Sequence, residues 1–186
     1  MPPINTIMTD SQSKAAMEFY LGLSLHRDKP YMQPPSEPLF RVFGTDFNTQ
    51  PARLIEILDE TLLSRRGDDV ESILALAQHF EAITAAALPL LCRLLLADFH
   101  ACHEDIAHYL QSLRDPRSIT ALYEACFLDL PCFWDDGDAL ARKCTWALHD
   151  IGTPEAFDRL KALTSHPRDS VVAFALKRLP PDRQPQ

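Results

Sequence analysis

Small or apolar residues recur three positions apart in four successive runs of the chain. The runs are Ala77, Phe80 and Ile83; Ala107, Leu110 and Leu113; Thr145, Leu148 and Ile151; and Ala173, Leu176 and Leu179. Residues three apart share one face of a helix, so each run predicts a buried stripe on a helix. The last members of successive runs are separated by 30, 38 and 28 residues.

The junctions that follow these stripes are also alike. Asp115 and Thr153 are good helix N-caps, and each is followed by a proline at the first helical position, where a missing N–H costs nothing. The pattern therefore predicts antiparallel helix pairs at roughly 52–82, 84–113, 116–151 and 154–179. One helix pair cannot bury its own apolar face, so a period of this length predicts an all-α fold, an α-solenoid of about four pairs.

Residues 1–50 lack the repeat. An amphipathic helix is predicted from Ser11 to about Leu23, followed by a connector that contains Pro30, Pro34, Pro35 and Pro38. A short extended piece is expected over Arg41–Phe47. A solenoid must hide the apolar face of its end unit, so we interpret residues 1–50 as an N-terminal helix and proline-rich cap on a solenoid at 51–186, all within one compact domain.

The run Ala147–Phe157 reads ALHDIGTPEAF. It resembles the link between successive HEAT-like repeats of the bacterial, phycobilisome-lyase type, in which a leucine-rich helix end with Ile-Gly is followed by Asp or Thr, Pro and an Ala-containing helix. The resemblance is clearest over residues 105–179. It implies a HEAT-like repeat fold and no single activity, because the family includes scaffolds, lyase-like chaperones, repair enzymes and toxin-neutralising proteins.

Net charge limits the classes of partner. The formal charge is −8 and the pI is near 5.3. An acidic surface repels a phosphate backbone, so no nucleic-acid binding is expected, and a basic protein partner is favoured. The most apolar run, 83–99, is interrupted by Pro89 and Arg93, so no membrane span is expected either.

The cysteines and the N-terminus suggest a cytoplasmic protein. The five cysteines are odd in number, form no CxxC motif and mostly lie in apolar runs, as expected of reduced thiols: Cys92, Cys102, Cys126, Cys132 and Cys144. The first residues have neither a basic segment nor an apolar core, so no signal peptide is expected.

His100, His103 and His108 resemble a metal site only superficially. Zinc-protease histidines lie four residues apart, whereas His103 and His108 are five apart and would diverge by about 140° around a helix. We expect a polar turn and a helix N-terminus here, with no metal and no cofactor, although metal binding by these histidines stays open. The alternative is a HEAT-like enzyme, either lyase-type or a metal-dependent hydroxylase.

The third helix pair is the longest, and its surplus residues fall in an acidic, aromatic loop. Candidate binding residues there are Asp129, Phe133, Trp134, Asp135, Asp136 and Asp138. Insertions in repeat proteins often lie on the binding edge, and an aromatic pair flanked by carboxylates suits a basic partner. The alternative is that the aromatic residues pack back on the repeats and the aspartates cap the next helix.

Arg142, Trp146 and His149 are further candidates, because second helices line the concave surface of such solenoids. The alternative is that Trp146 and His149 are core residues, because aromatic residues at helical spacing usually are. These features predict a non-catalytic protein-binding module that is a monomer or weak homodimer. The sharper hypothesis is a bacterial immunity or adaptor protein for a basic toxin or effector. A generic scaffold or a self-assembling element remains an alternative.

Overall fold

The computed structural model describes residues 8–25 and 34–183, and these residues form ten α-helices and no β-strand. The predicted all-α fold class is confirmed. The chain divides into two compact units, one up to Ile83 and one from Thr84. The sequence interpretation drew its division after residue 50, within one compact domain. In the structure, the N-terminal helices and the first helix pair share the first unit.

The first unit contains α1 (Asp10–Leu25), α2 (Glu37–Phe43), α3 (Ala52–Ser64) and α4 (Gly67–His79). Helix α1 packs against α2 and α4, and α3 pairs with α4. Helix α1 confirms the helix predicted from Ser11 to about Leu23.

Aromatic side chains fill the centre of the first unit. The ring of Phe80, at the end of α4, lies 6.0 Å from the ring of Phe19 and 5.7 Å from those of Phe40 and Phe47. Phe47 is fully buried and also contacts Phe43. The N-terminal segment therefore supplies part of the core of this unit, because its aromatic rings cover Phe80.

The extended piece expected over Arg41–Phe47 is wrong. Helix α2 occupies Glu37–Phe43 and ends at Gly44, whose φ of 65° is left-handed. Pro38 lies in the first turn of α2, where a proline needs no N–H partner, so it does not prevent the helix. Pro34 and Pro35 precede the helix, and Pro30 lies outside the described residues.

The second unit contains three helix pairs. They are α5 (Leu88–Leu95) with α6 (His103–Leu113), α7 (Ile119–Ala125) with α8 (Asp138–Ile151), and α9 (Pro154–Leu163) with α10 (Asp169–Arg178). Short 3-10 turns at Ala85–Ala87 and Pro116–Ser118 lead into α5 and α7, and another follows α10 at Pro181–Arg183.

These pairs stack in two layers. Helices α5, α7 and α9 contact one another in order, and α6, α8 and α10 do the same, while each pair is joined across the layers. Each helix pair predicted from residue 84 onward is present, and α3 with α4 supplies the pair predicted at 52–82. The arrangement within the second unit is that of stacked helical repeats.

The predicted N-caps are confirmed. Asp115 accepts a hydrogen bond from the backbone N–H of Arg117 at 3.0 Å, and Thr153 Oγ1 accepts one from the N–H of Ala156 at 3.2 Å. Arg114 and Gly152, which end the preceding helices, both have left-handed backbone conformations. The two junctions therefore share a helix stop as well as a helix start.

The predicted buried stripe is correct at its first two positions in α6 and α8 and only at its last position in the α10 run. Ala107, Leu110, Thr145 and Leu148 are fully buried, whereas Leu113 and Ile151 are half-buried. In the α10 run, Ala173 is exposed, and Leu179 is buried together with Val171 and Ala175. Their spacing of four gives the stripe a different direction. Helix α10 is the last α-helix of the described stack and packs mainly on α8 and α9, so the direction of its buried stripe is set by these two helices.

Each helix of the described ranges is too short or too polar to cross a lipid bilayer.

Candidate functional site

The loop that joins α7 to α8 is fixed at both ends by Arg168, in the turn between α9 and α10. Arg168 Nη2 donates to the carbonyl oxygen of Cys126 at 2.7 Å. Its Nη1 donates to the carbonyl oxygen of Asp136 and lies 3.4 Å from Asp138 Oδ1. One guanidinium thus bridges the two ends of the loop, so the positions at which the loop begins and ends are fixed relative to each other.

Two of the predicted binding carboxylates stabilise the start of α8. Asp135 accepts hydrogen bonds from the backbone N–H groups of Ala139 at 2.7 Å and Gly137 at 3.2 Å. Asp138 accepts one from Ser170 Oγ at 2.7 Å. Asp135 and Asp138 therefore stabilise the start of α8, as the alternative interpretation of the acidic loop predicted.

The two loop aromatics point in different directions. Phe133 packs back on the preceding repeat, with its ring centre 5.3 Å from that of His103 in an edge-to-face arrangement. Trp134 is 88% exposed. Of these two side chains, Trp134 is the one presented to solvent, and Phe133 anchors the loop on the preceding repeat.

His100 and His103 form the surface on which Phe133 rests. His100 Nε2 donates to the carbonyl oxygen of Leu94 at 2.9 Å, and its Nδ1 accepts from the N–H of Cys102 at 3.1 Å. His103 Nε2 donates to the carbonyl oxygen of Ala97 at 2.7 Å, and the two rings stack 4.4 Å apart. Both histidines therefore hold the turn between α5 and α6.

Burial keeps both of these imidazoles neutral. It lowers the pKa of His100 to about 4, with a further contribution from His103, and it lowers the pKa of His103 as well. His108 is exposed on α6, away from the buried His103, as the five-residue spacing predicts. Within the described residues, no group of three or more His, Cys, Asp or Glu side chains is placed to hold a metal ion.

The predicted residues of α8 lie on one exposed face of that helix. Arg142 is exposed and Trp146 is 44% exposed. The guanidinium carbon of Arg178 lies 3.8 Å from the centre of the Trp146 ring, a cation–π contact. His149 Nδ1 donates to the carbonyl oxygen of Arg178 at 2.8 Å. Trp146 and His149 are thus surface residues that also bind α8 to the end of α10.

A surface depression of about 380 Å³ lies beside the loop, and sequence reasoning missed most of its residues. Asp129 and Asp136 line it, together with Phe127, His166 and Arg168. Phe127 is 46% exposed, and its ring centre lies 4.3 Å from that of His166. Nothing in the sequence indicated Phe127, His166 and Arg168, because these residues come from two different repeats and match no local motif.

His166 is the buried polar group of this depression. It is 7% exposed, and its Nδ1 accepts a hydrogen bond from the N–H of Arg168 at 3.1 Å. Its Nε2 therefore carries the ring hydrogen and is shielded from solvent, and the ring interacts with the backbone of Cys126. Burial and the positive charge of Arg168 lower the pKa of His166, so the ring is neutral near pH 7.

Comparison with known proteins agrees with the repeat pattern. Residues 140–166, which span most of α8, all of α9 and the start of the following turn, match the family described as PBS lyase HEAT-like repeat. No curated protein and no solved structure matches the chain significantly. Residues 140–166 are thus similar to one PBS lyase HEAT-like repeat, within a unit whose helix pairs stack as repeats do.

Proposed function

We propose that this chain is a non-catalytic protein-binding module whose main contact is the loop between α7 and α8. The observation that carries the proposal is Trp134, which is 88% exposed on a loop held at both ends by Arg168. Tryptophan is enriched among the residues that dominate binding energy. A loop that is already ordered at its base loses less entropy when it binds. HEAT-like repeats, moreover, generally mediate protein interactions.

The charges around Trp134 favour a basic partner. The carboxylates of Asp129 and Asp136 form no hydrogen bond or ion pair within the described part of the chain. The formal net charge of the protein, −8, has the same sign as this cluster. An acidic field steers a basic partner to the surface and raises its association rate. The sharper form of the proposal is a bacterial immunity or adaptor protein for a basic toxin or effector.

The exposed face of α8 is a secondary part of the proposed surface. Trp146 is 44% exposed, but Arg178 covers its ring and His149 is hydrogen-bonded to the backbone of α10. A partner would therefore meet side chains that already make contacts within the protein. We therefore assign these residues, with Arg142, to the rim of the interface, where contacts contribute less than at a central anchor.

The function is proposed as non-catalytic because His100 and His103 are engaged with main-chain groups. Both of their Nε2 atoms donate to carbonyl oxygens of the same turn. Metal analysis of the purified protein separates this proposal from a metal-dependent hydroxylase. Stoichiometric iron or zinc that is lost in His100→Gln or His103→Gln would replace the binding proposal with an enzymatic one.

The binding test starts from a tagged chain and identifies what it captures from lysate of its source cells. The captured protein is then purified, and its Kd is measured by calorimetry against the wild type, Trp134→Ala and Asp158→Asn. Loss of a central tryptophan should weaken binding at least tenfold, or about 1.4 kcal/mol. Asp158 lies exposed on α9, and its replacement is the control.

Unchanged affinity in Trp134→Ala, with the helical circular dichroism spectrum intact, would remove the loop from the interface. An acidic partner would contradict the charge argument and the sharper form of the proposal, even if Trp134 contributed to binding.

A further inference from the structure

We infer that the depression beside the loop binds an arginine side chain from a basic peptide segment. We call it the Phe127 pocket and define it by Phe127, Asp129, Asp136, His166 and Arg168. The inference rests on the proposed function, because the peptide segment would belong to the protein partner. It adds a specific recognition site to the single exposed anchor, Trp134.

The pocket has an aromatic wall whose position is fixed. Phe127 is 46% exposed, yet its ring is held by the ring of His166 at 4.3 Å and by that of Tyr123 at 5.2 Å. Tyr123 is in turn covered by the guanidinium of Arg159 at 5.1 Å. An aromatic ring that is half exposed and held on its other sides offers a surface on which a planar cation can stack.

The charge of the pocket selects a cation. Asp129 and Asp136 contribute two carboxylates that bind nothing within the described residues. The positive charge of Arg168 is already opposed by Asp138 at 3.4 Å, and its donors reach the carbonyl oxygens of Cys126 and Asp136. An anionic ligand would therefore meet two unpaired carboxylates and a cation with its hydrogen bonds already made.

Arginine fits this arrangement better than lysine. Its planar guanidinium can stack on the Phe127 ring while its five N–H donors reach more than one carboxylate. A lysine ammonium is a compact, strongly hydrated charge that stacks poorly. A pocket with an aromatic wall and two carboxylates thus favours arginine, whose guanidinium combines a flat face with several N–H donors.

His166 fixes the base of the pocket. Its Nδ1 accepts a hydrogen bond from the N–H of Arg168 at 3.1 Å, its ring also interacts with the backbone of Cys126, and its Nε2 is shielded from solvent. The contact of its ring with Phe127 at 4.3 Å therefore holds the aromatic wall in place before a guanidinium arrives. A pre-ordered site loses less entropy on binding.

The test uses the full chain labelled with ¹⁵N and a short probe, acetyl-Gly-Arg-Gly-amide, titrated near pH 7. Chemical-shift changes should concentrate at residues 127–136 and 166–168. A matched peptide with citrulline in place of arginine keeps the shape and removes the charge, so it should bind at least tenfold more weakly. Equal binding of the citrulline peptide, or shifts scattered over the acidic surface, would overturn the inference.

Variants then separate this site from the loop anchor. Asp129→Asn with Asp136→Asn should abolish binding of the arginine peptide, and asparagine tolerates the φ of 55° at position 136. Glu155→Gln with Asp158→Asn removes the same two charges outside the pocket, on the exposed face of α9, and should leave peptide binding unchanged. A loss of the same size in this control would show a diffuse charge effect and overturn the inference.

Trp134→Ala distinguishes failure of the inference from failure of the proposed function. Trp134 does not line the pocket, so this variant should keep its affinity for the arginine peptide while losing affinity for the captured protein. Full peptide binding with an unchanged protein Kd would contradict the proposed function only. If the wild type does not bind the peptide but Trp134→Ala still weakens binding of the captured protein, only the inference about the Phe127 pocket is contradicted.

Discussion

Arg168 and Cys126 are joined by a hydrogen bond of 2.7 Å although 42 residues separate them along the chain. Arg168 belongs to the last helix pair, and Cys126 ends the first helix of the pair before it. The long loop of one repeat is therefore shaped by a side chain of the next. Any surface that the loop presents depends on the presence and correct packing of the last repeat.

We expect Arg168→Lys to lower the free energy of unfolding by about 2 kcal/mol. The guanidinium is 26% exposed and bridges three acceptors, and a lysine ammonium cannot reach all of them from one nitrogen. A hydrogen bond to a charged group contributes roughly 1.5–3 kcal/mol. Urea denaturation measures the change, and Arg142→Lys on the exposed face of α8 is the control. Equal stability of the two variants would show that the loop base does not need Arg168.

Local chemistry explains which features could be predicted from the sequence. Thr153 and Asp115 were identifiable as N-caps because a cap binds a backbone N–H within three residues of itself. The Phe127–His166 contact was not identifiable, because it joins two repeats and neither residue forms a local motif. Helix pairs can be predicted from the spacing of residues along one segment of the chain. The walls of a pocket cannot, because they depend on how distant segments pack against each other.

Two predictions were wrong because a sequence rule was applied without the structural position that decides whether it holds. Helix α2 was missed because several prolines lie near it, although Pro38 falls in a first turn that tolerates proline. The stripe of α10 was misplaced because the pattern of inner repeats was extended to Ala173, in the last α-helix of the described stack. Asp135 and Asp129 look alike in the sequence, yet only the structure shows that Asp135 caps α8.

Gly137→Ala should destabilise the protein more than Gly152→Ala. Both glycines have left-handed φ angles, 79° and 69°, so both substitutions strain the backbone by about 1–2 kcal/mol. A Cβ at position 137 would also lie 3.2 Å from the carbonyl oxygen of Leu128 and from Phe133 Cδ2. At position 152 the nearest atom is an ordinary contact at 3.7 Å.

Thermal and urea denaturation of the two glycine variants isolate the steric part of the effect. The backbone strain is common to both, so the difference between them reports how tightly the loop packs at Gly137. Identical losses would mean that the loop moves away from the added methyl group at no cost, and that its conformation is less fixed than the Arg168 contacts imply.

His100 should make the stability of the second unit depend on pH. Burial lowers its pKa to about 4, whereas the unfolded chain takes up the proton near pH 6.5. The unfolded state therefore binds more protons between these values, and the free energy of unfolding falls as the pH is lowered from about 6.5 to about 4. The full loss is about 3 kcal/mol for His100, and His103 acts in the same direction.

Denaturation curves between pH 4 and 7.5 test this, with His100→Gln as the informative variant. Glutamine can still donate to the carbonyl oxygen of Leu94 and accept from the N–H of Cys102, but it does not titrate. Its stability should fall less steeply with acid than that of the wild type. His108→Gln, exposed on α6, is the control. A slope in His100→Gln equal to the wild-type slope would contradict the assignment.

Phe19 tests whether the N-terminal helix is needed by the unit that it covers. It is 5% exposed, and its ring lies 6.0 Å from that of Phe80 and 5.6 Å from that of His79, both at the end of α4. Phe19→Ala removes a large buried ring and should cost about 3–5 kcal/mol. Leu21 is on the same helix and 50% exposed, so Leu21→Ala should change stability by less than about 0.5 kcal/mol.

Amide hydrogen exchange in α4 reports this effect directly, because Phe80 ends that helix and α1 packs against it. Faster exchange in Phe19→Ala than in Leu21→Ala would show that α1 stabilises the first helix pair, as the cap interpretation predicts. Equal protection of α4 in the two variants would mean that Phe80 is held by Phe40 and Phe47 alone, and α1 would then be free to serve as a binding segment.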